Sequence, residues 1–575
     1  MVPRRSNRWV GPVVVAALVL LVGVAVFTGG KGGGGSDSKT TTTRASGSEG
    51  APEPTGRMPI TYAEAEAQGR VDEFDWGGRC DTETGRLKLP SIYAPPCVPV
   101  FEGDNGGATY QGVTEDTIKI VRYVPQENAN LQALIASFGV RDTAEQVKET
   151  FDGYLEIYQS LFETYGRRVE VVDFQGSGQA DDEVASRADA VEIAEEIKPF
   201  AVLGAPALDR GVFAQELARR KIVCIGCGTA LPESVIQDNQ PYIWVTGQTP
   251  DQFLELLYVW LREVDRRGPE LGVDTEKAIF AGDERFHDRK RKVGVIHFEQ
   301  DPPIFTELAE RETGRSRRDI ALRETYLFDL ATMPDRATEL IAKMKSQEIT
   351  TIVFIGDPIM PTYLTQAATK QEYFPEWVIV GGVLVDTNVM GRVYDQKQWR
   401  HAFGLSLLPA KTPRELTPAW RVWEWWFGKE KTPPPAQGTF QLVANEPAQL
   451  LLGIHMAGPD LTPDTFARGL FRVPPTGGGP TAPQISYGDW GFFPQRDFAG
   501  IDDATVIWWD PDAEGENELG VKGKGMWRYA DEGRRFTTKK PIAPILFERE
   551  GTRTIFEELP AGDRPRDYPR PARTG

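Results

Sequence analysis

From Ile118 to Gly382 the chain alternates short apolar runs with amphipathic stretches. The runs IKIVRYV, VEVVDF, FAVLGA, KIVCIG, VGVIHF, TIVFIG and WVIVGG read as strands. A parallel strand covered on both faces is apolar throughout, whereas the helix covering it needs only one apolar stripe. The alternation therefore constrains the chain to an α/β fold: doubly wound parallel sheets with helices on both faces. Two such series run in tandem, which suggests two lobes with a small ligand between them.

The first series has strands Ile118–Val124, Val169–Phe174, Phe200–Ala205 and Lys221–Ile225, with helices between them. In the first of these helices Val147, Phe151, Tyr154, Leu155, Tyr158, Phe162 and Tyr165 recur at intervals of three and four, and Gly166 stops the pattern. Such an aromatic stripe is a core face. The second series has strands Val293–Phe298, Glu324–Phe328, Thr350–Ile355 and Trp377–Gly381, with helices Ile304–Thr313 and Arg336–Ser346. The basic run Arg289–Lys292 precedes a strand and reads as a solvated turn. Beyond it come a strand-like Ala402–Leu408, a Trp-rich helix Pro418–Gly428, a helix Ala444–Ala457, and a tail of short strands and many prolines that ends in a polar stretch expected to fray.

Ahead of this lies an uncharged segment, Trp9–Thr28, preceded by Arg4, Arg5 and Arg8. About 20 apolar residues span a bilayer, and the arginines keep their side cytoplasmic. Residues 1–28 are expected to be a transmembrane signal anchor, leaving the rest outside the cell membrane. A cleaved signal peptide has the same charged start and would release the chain, but no small-x-small cleavage site stands out. No cysteine precedes Cys80, which excludes a lipidated cysteine there. Residues 29–56 are rich in Gly, Ser, Thr and Pro and read as a flexible tether. Residues 57–114 form an irregular extension.

The four cysteines, Cys80, Cys97, Cys224 and Cys227, are an even count in an oxidising location, so two disulfides are expected, local pairing being the simplest of three connectivities. Zinc is disfavoured because His287, His297, His401 and His455 have no ligand spacing. A net charge of −18 argues against nucleic acid, which needs a clustered basic footprint.

In doubly wound sheets a ligand sits at the carboxyl ends of the strands. Those turns are Pro125-Gln126-Glu127-Asn128, Gly204-Ala205-Pro206-Ala207 and Gly226-Cys227-Gly228-Thr229 in the first series. In the second they are Glu299-Gln300-Asp301, Gly356-Asp357-Pro358 and Gly381-Gly382-Val383. Asp357 and Asp386 offer a carboxylate to a ligand ammonium, with helix capping as the alternative use. No Walker A, Gly-x-Ser-x-Gly or His-Glu-x-x-His motif occurs, and GSGQAD at Gly176–Asp181 follows the wrong strand for a dinucleotide loop. No cofactor is indicated. Cys224-Ile-Gly-Cys227 raises a rival, a thiol oxidoreductase, although Pro232 delays the helix that such motifs open.

The segments QGVTEDTIKIVRYVP, VEVVDFQGSGQADDEVASRADAVEIAEEI, FAVLGAPA, CGTALPES and KVGVIHFEQ resemble the type 1 periplasmic-binding fold. The Leu/Ile/Val-binding class of ABC transporter solute receptors is the nearest branch, over roughly residues 111–471. The resemblance implies lobe 1 from 115–245 and 402–471, lobe 2 from 246–401 and about 472–535, three crossovers that join the lobes as a hinge, and a tail over 536–575. It implies that Thr229, with the backbone at Cys227 and Gly228, holds a ligand carboxylate. Ala207 stands where a serine is expected, and Asp301-Pro302-Pro303 replaces the lobe 2 aromatic. Val383 and Leu384 follow the Gly-Gly turn, where an acidic residue is usual, and Asp386 comes later. These departures weaken an amino-acid ligand specifically. The implied function is non-enzymatic capture of a small polar metabolite, an amino acid, amide or short peptide, with an ABC permease and the membrane as partners. The alternative is a membrane-tethered sensing or protein-interaction domain.

Overall fold

The computed structural model describes residues 56–126, 132, 136, 138–206, 209–228, 231–268, 276–299, 320–381 and 384–571. The expected anchor at 1–28, nearly all of the tether and helix Ile304–Thr313 lie outside them. Among the described residues no helix is long and apolar enough to cross a membrane.

The extension after Gly56 carries a short antiparallel pair, β1 (Cys80–Asp81) and β2 (Arg86–Leu87), pinned by a Cys80–Cys97 disulfide. Five parallel strands then form the first sheet: β3 (Thr117–Val124), β4 (Arg168–Gln175), β5 (Ala201–Leu203), β6 (Val223–Ile225) and β7 (Ile243–Trp244), in the order β4-β3-β5-β6-β7. The second sheet repeats this winding with β8 (Val293–Phe298), β9 (Ile320–Tyr326), β10 (Thr351–Ile355), β11 (Glu376–Ile379) and β12 (Ala402–Ser406), in the order β9-β8-β10-β11-β12. Both sheets reverse direction between their first and third strands, so each has its crevice there.

Two antiparallel strands, β13 (Ala504–Glu516) and β14 (Lys522–Tyr529), extend the second sheet beyond β12, and β15 (Arg535–Phe536) pairs with β13. Short strands were expected in this tail, but β13 runs for 13 residues and β14 for 8. Pro511 lies inside β13, and the ladder absorbs it with a register shift between Asp510 and Glu514.

The stripe helix spans Ala144–Leu161 and starts with a reciprocal cap in which Thr143 Oγ1 accepts from Gln146 N (3.2 Å) and Gln146 Oε1 from Thr143 N (2.8 Å). Phe151, Tyr154, Leu155, Tyr158 and Leu161 are buried, so the stripe is core. Phe162 and Tyr165 follow the helix and are also buried. Trp423, from the helix Pro418–Phe427, lies so close to Gly153 that a Cβ there would stand 2.4 Å from its ring. With the helices Asn445–Ala457 and Pro463–Phe471, this Trp-rich helix completes the first core.

Two segments lie outside their expected lobes: Tyr487, Phe498 and Ala499, expected in lobe 2, pack in the first core, and one strand moves the other way. Residues 402–406 were assigned to lobe 1, but β12 pairs with β11 in parallel and β13 antiparallel, inside the second sheet. Its five residues are all buried, as a strand flanked on both sides requires. The chain therefore crosses to lobe 1 after Ser406, within 407–417. The other crossovers are 245–249 and 472–503.

Three further findings correct the sequence reading. A helix Met360–Lys370 lies between β10 and β11, its start obscured by Pro361 and its threonines. Arg291 does not sit in a solvated turn: it pairs with the fully buried Glu376 (3.0 Å) at the start of β11. Up to Pro571 the tail does not fray, and the last four residues lie outside the described ones. Phe556 enters the second core, Asp563 is buried, and Arg570 donates to Trp426 O (3.1 Å) and Phe427 O (2.6 Å) on lobe 1.

Candidate functional site

At the carboxyl edge of the first sheet, β5 and β6 end in Gly204 and Gly226, both at φ +78°. Side-chain-free turns let another group approach, and the group that does so is Glu446, from the first turn of the helix Asn445–Ala457. A Cβ on Gly226 would fall 2.5 Å from Glu446 Oε1, and one on Gly204 4.0 Å away. Burial pushes the Glu446 carboxyl up to about 8, with the Arg122 charge opposing. It is thus largely protonated at neutral pH. Glu446 carried no motif, and only the fold brings it to these turns across more than 200 residues of sequence.

The other expected lobe 1 residues divide. Gln126 donates from Nε2 to Gly176 O (2.7 Å) and ties the turn after β3 to that after β4. Cys227 is bonded to Cys224 across the end of β6, and Gly228 is packed where a Cβ would meet Val245 at 2.8 Å. With Cys80–Cys97, all four cysteines are paired locally, leaving no free thiol. Asn128, Ala207 and Thr229 lie outside the described residues, as do Gln300 and Asp301 in lobe 2.

In lobe 2, Asp357 is committed to structure. Its Oδ1 accepts from Ile359 N (2.7 Å) and Met360 N (3.0 Å), capping the helix Met360–Lys370, and its Oδ2 accepts from the Tyr326 hydroxyl. With both oxygens used, the reading of Asp357 as a ligand carboxylate gives way to the capping one. Asp386 is different. Its Oδ2 accepts from Ser406 Oγ (2.5 Å), but its buried Oδ1 has no partner among the described residues. Burial pushes this carboxyl up to about 6.

Asp386 lines a cavity of about 220 Å³ between the lobes. Lobe 2 contributes Ile359 and Leu384 from the ends of its strands, lobe 1 contributes Val140 and Phe440, and the second crossover contributes Leu408 and Lys411. Gln126, Cys227, Gly228 and Asp357 are not on its walls. The crossover residues had no signal in the sequence, because a loop acquires a site only from what the two lobes place beside it. Chemically, the cavity combines an apolar body with a few charged groups, the composition of a small-molecule binding site.

No family model and no curated protein matches the chain. Several solved structures are similar in fold. The branched-chain amino acid transporter substrate binding protein LivJ from Streptococcus pneumoniae, in complex with isoleucine, is 12% identical over 73% of this chain and 100% of that one, with a TM-score of 0.45. A fatty acid ABC transporter substrate-binding protein from Thermomonospora curvata is 16% identical over 78% and 98%, with a TM-score of 0.45. A periplasmic binding protein type 1 from Bordetella pertussis Tohama I is 10% identical over 71% and 100%, also at 0.45.

Proposed function

We propose that this chain is an extracytoplasmic solute-binding protein that captures a small metabolite between two lobes and serves an ABC importer, without chemistry of its own. The observation that carries this reading is the cavity with one wall from each lobe and a third from a crossover. A site so divided opens and closes with rotation of the lobes, so ligand binding and lobe closure are one event. The repeated strand order supports it, because it gives each sheet a switch point, the place where ligands bind in doubly wound sheets. Trp9–Thr28, behind its three arginines, serves as the membrane anchor in this reading and leaves both lobes outside, beside a permease.

A thermal-shift panel on the full-length chain tests this. Amino acids, amides, short peptides and carboxylic acids are each added in excess. A bound ligand at about a hundred times its dissociation constant adds about 2.7 kcal/mol, so at least one class raises the unfolding midpoint by a readily measured amount. A flat response across all classes removes the reading.

A further inference from the structure

Lys411 lies on the second crossover with 9% of its surface exposed, and its ammonium donates to Thr412 O at 2.6 Å. An ammonium has three donors, and a buried one is costly unless a counter-charge meets it. Among the described residues no carboxylate forms an ion pair with it, although Glu518, Glu516 and Glu415 act on it from a distance. Burial pushes its pKa down, and neighbouring Arg414 pushes the same way. Arg414 also lines the cavity, with its guanidinium 5.7 Å from the Trp420 ring and 5.5 Å from Phe440, and its buried Nε has no partner. Two cations with unfilled donors thus face one space.

The acids on the same walls do not answer them. Glu518 accepts from Asn388 N (2.9 Å), Asn388 Nδ2 (2.9 Å) and Val389 N (3.0 Å), which ties it to the helix Asn388–Gly391. Asp386 accepts from Ser406 and, among the described residues, pairs with neither cation. The remaining lining is largely apolar, with Ile359, Leu384, Met390, Leu408, Phe440 and Leu442. An apolar cavity of roughly 150 Å³ holds benzene, so about 220 Å³ accommodates one ring, or a branched chain of similar bulk, together with a carboxylate.

Building on the receptor reading, we propose that the interlobe cavity takes a small monocarboxylic acid with an apolar body, its carboxylate held by the Lys411 ammonium. Arg414 adds positive potential at that end. The ligand carries no α-ammonium, because a positive charge so close to its carboxylate would stand beside the Lys411 and Arg414 cations.

Titration calorimetry on the full-length chain at pH 7 tests this with five probes: benzoate, 4-methylpentanoate, their primary amides, and L-leucine. The expected result is that each acid binds at least tenfold more tightly than its amide and that 4-methylpentanoate outcompetes L-leucine. Lys411→Met abolishes the preference for acid over amide, and Lys411→Arg retains it. The comparison of acid with amide in the unaltered protein stands even if a variant fails to fold. Equal binding of acids and amides, or tighter binding of leucine, overturns the proposal. If none of the five binds while the broader panel finds another class, this assignment fails and the receptor reading survives. If no class binds, both fail.

Discussion

Single residues decide the chemistry here through burial. Asp386 was legible as a candidate from its place just after the Gly381-Gly382 turn, while its environment was not. Its folded pKa of about 6 lies above the ordinary aspartate value of about 3.9. The folded state therefore binds more protons than the unfolded one between those pH values. The stabilising contribution is full below about pH 4 and is lost as pH rises through 6, and two units correspond to roughly 3 kcal/mol at most. His455 acts with the opposite sign: burial lowers it to about 4, so its contribution is present above the unfolded value and lost as pH falls through 4. The difference between the unaltered protein and Asp386→Asn isolates the carboxyl. Urea unfolding of both from pH 4 to 7 is expected to show the unaltered protein losing stability relative to the variant by pH 6, then running parallel. Parallel curves throughout would show that the carboxyl titrates normally. Lys411 and Glu446 could not be found in this way, since neither sits at a strand end or in a motif.

Elements were the most legible scale where the apolar runs were complete. VGVIHF is β8 to the residue, because a strand buried on both faces has an unmistakable composition, and β3 and β4, only partly buried, fall within one residue of expectation on their β-branched and aromatic runs. The helix Met360–Lys370 and the long β13 escaped, since prolines near or inside them mask the pattern. What holds the elements to one another was hidden as well. Arg535 on β15 donates to Asp503 Oδ1 (2.8 Å), Leu408 O (2.7 Å) and Leu407 O (2.9 Å), with both charged side chains essentially excluded from solvent. It therefore clamps the second and third crossovers together where they leave lobe 2. Removing one partner of a buried pair costs about 3–5 kcal/mol, whereas replacing both with apolar groups is often close to neutral. Arg535→Met should accordingly lower the unfolding free energy by that amount, and Arg535→Met with Asp503→Leu should recover much of it. Two variants of equal stability would mean that the carbonyl contacts, not the charge pair, dominate.

At the scale of the molecule, the tail is a strap between lobes. It leaves lobe 2 with Phe556 in the core and reaches Asp563, which accepts from Thr481 N and Oγ1 (both 2.7 Å). It ends on lobe 1, where Arg566 pairs with Glu83 (2.7 Å) and Arg570 meets the last carbonyls of the helix Pro418–Phe427. Truncation after Pro560 leaves the buried Thr481 donors unsatisfied, a loss of about 1–3 kcal/mol. The truncated protein is expected to melt lower and, without ligand, to show a larger radius of gyration in solution scattering. An unchanged midpoint and radius would reduce the strap to surface decoration. The sequence by itself determined the α/β class and the two series, because strand burial is a property of neighbouring residues, and its even cysteine count called for two disulfides without fixing which of three pairings they take. Only the tertiary structure decided that β12 belongs to lobe 2, that the tail is ordered, and that Lys411, Asp386 and Phe440 share a cavity. Those facts depend on contacts between segments far apart in the chain, and no local pattern of apolar and polar residues encodes which distant surfaces will meet.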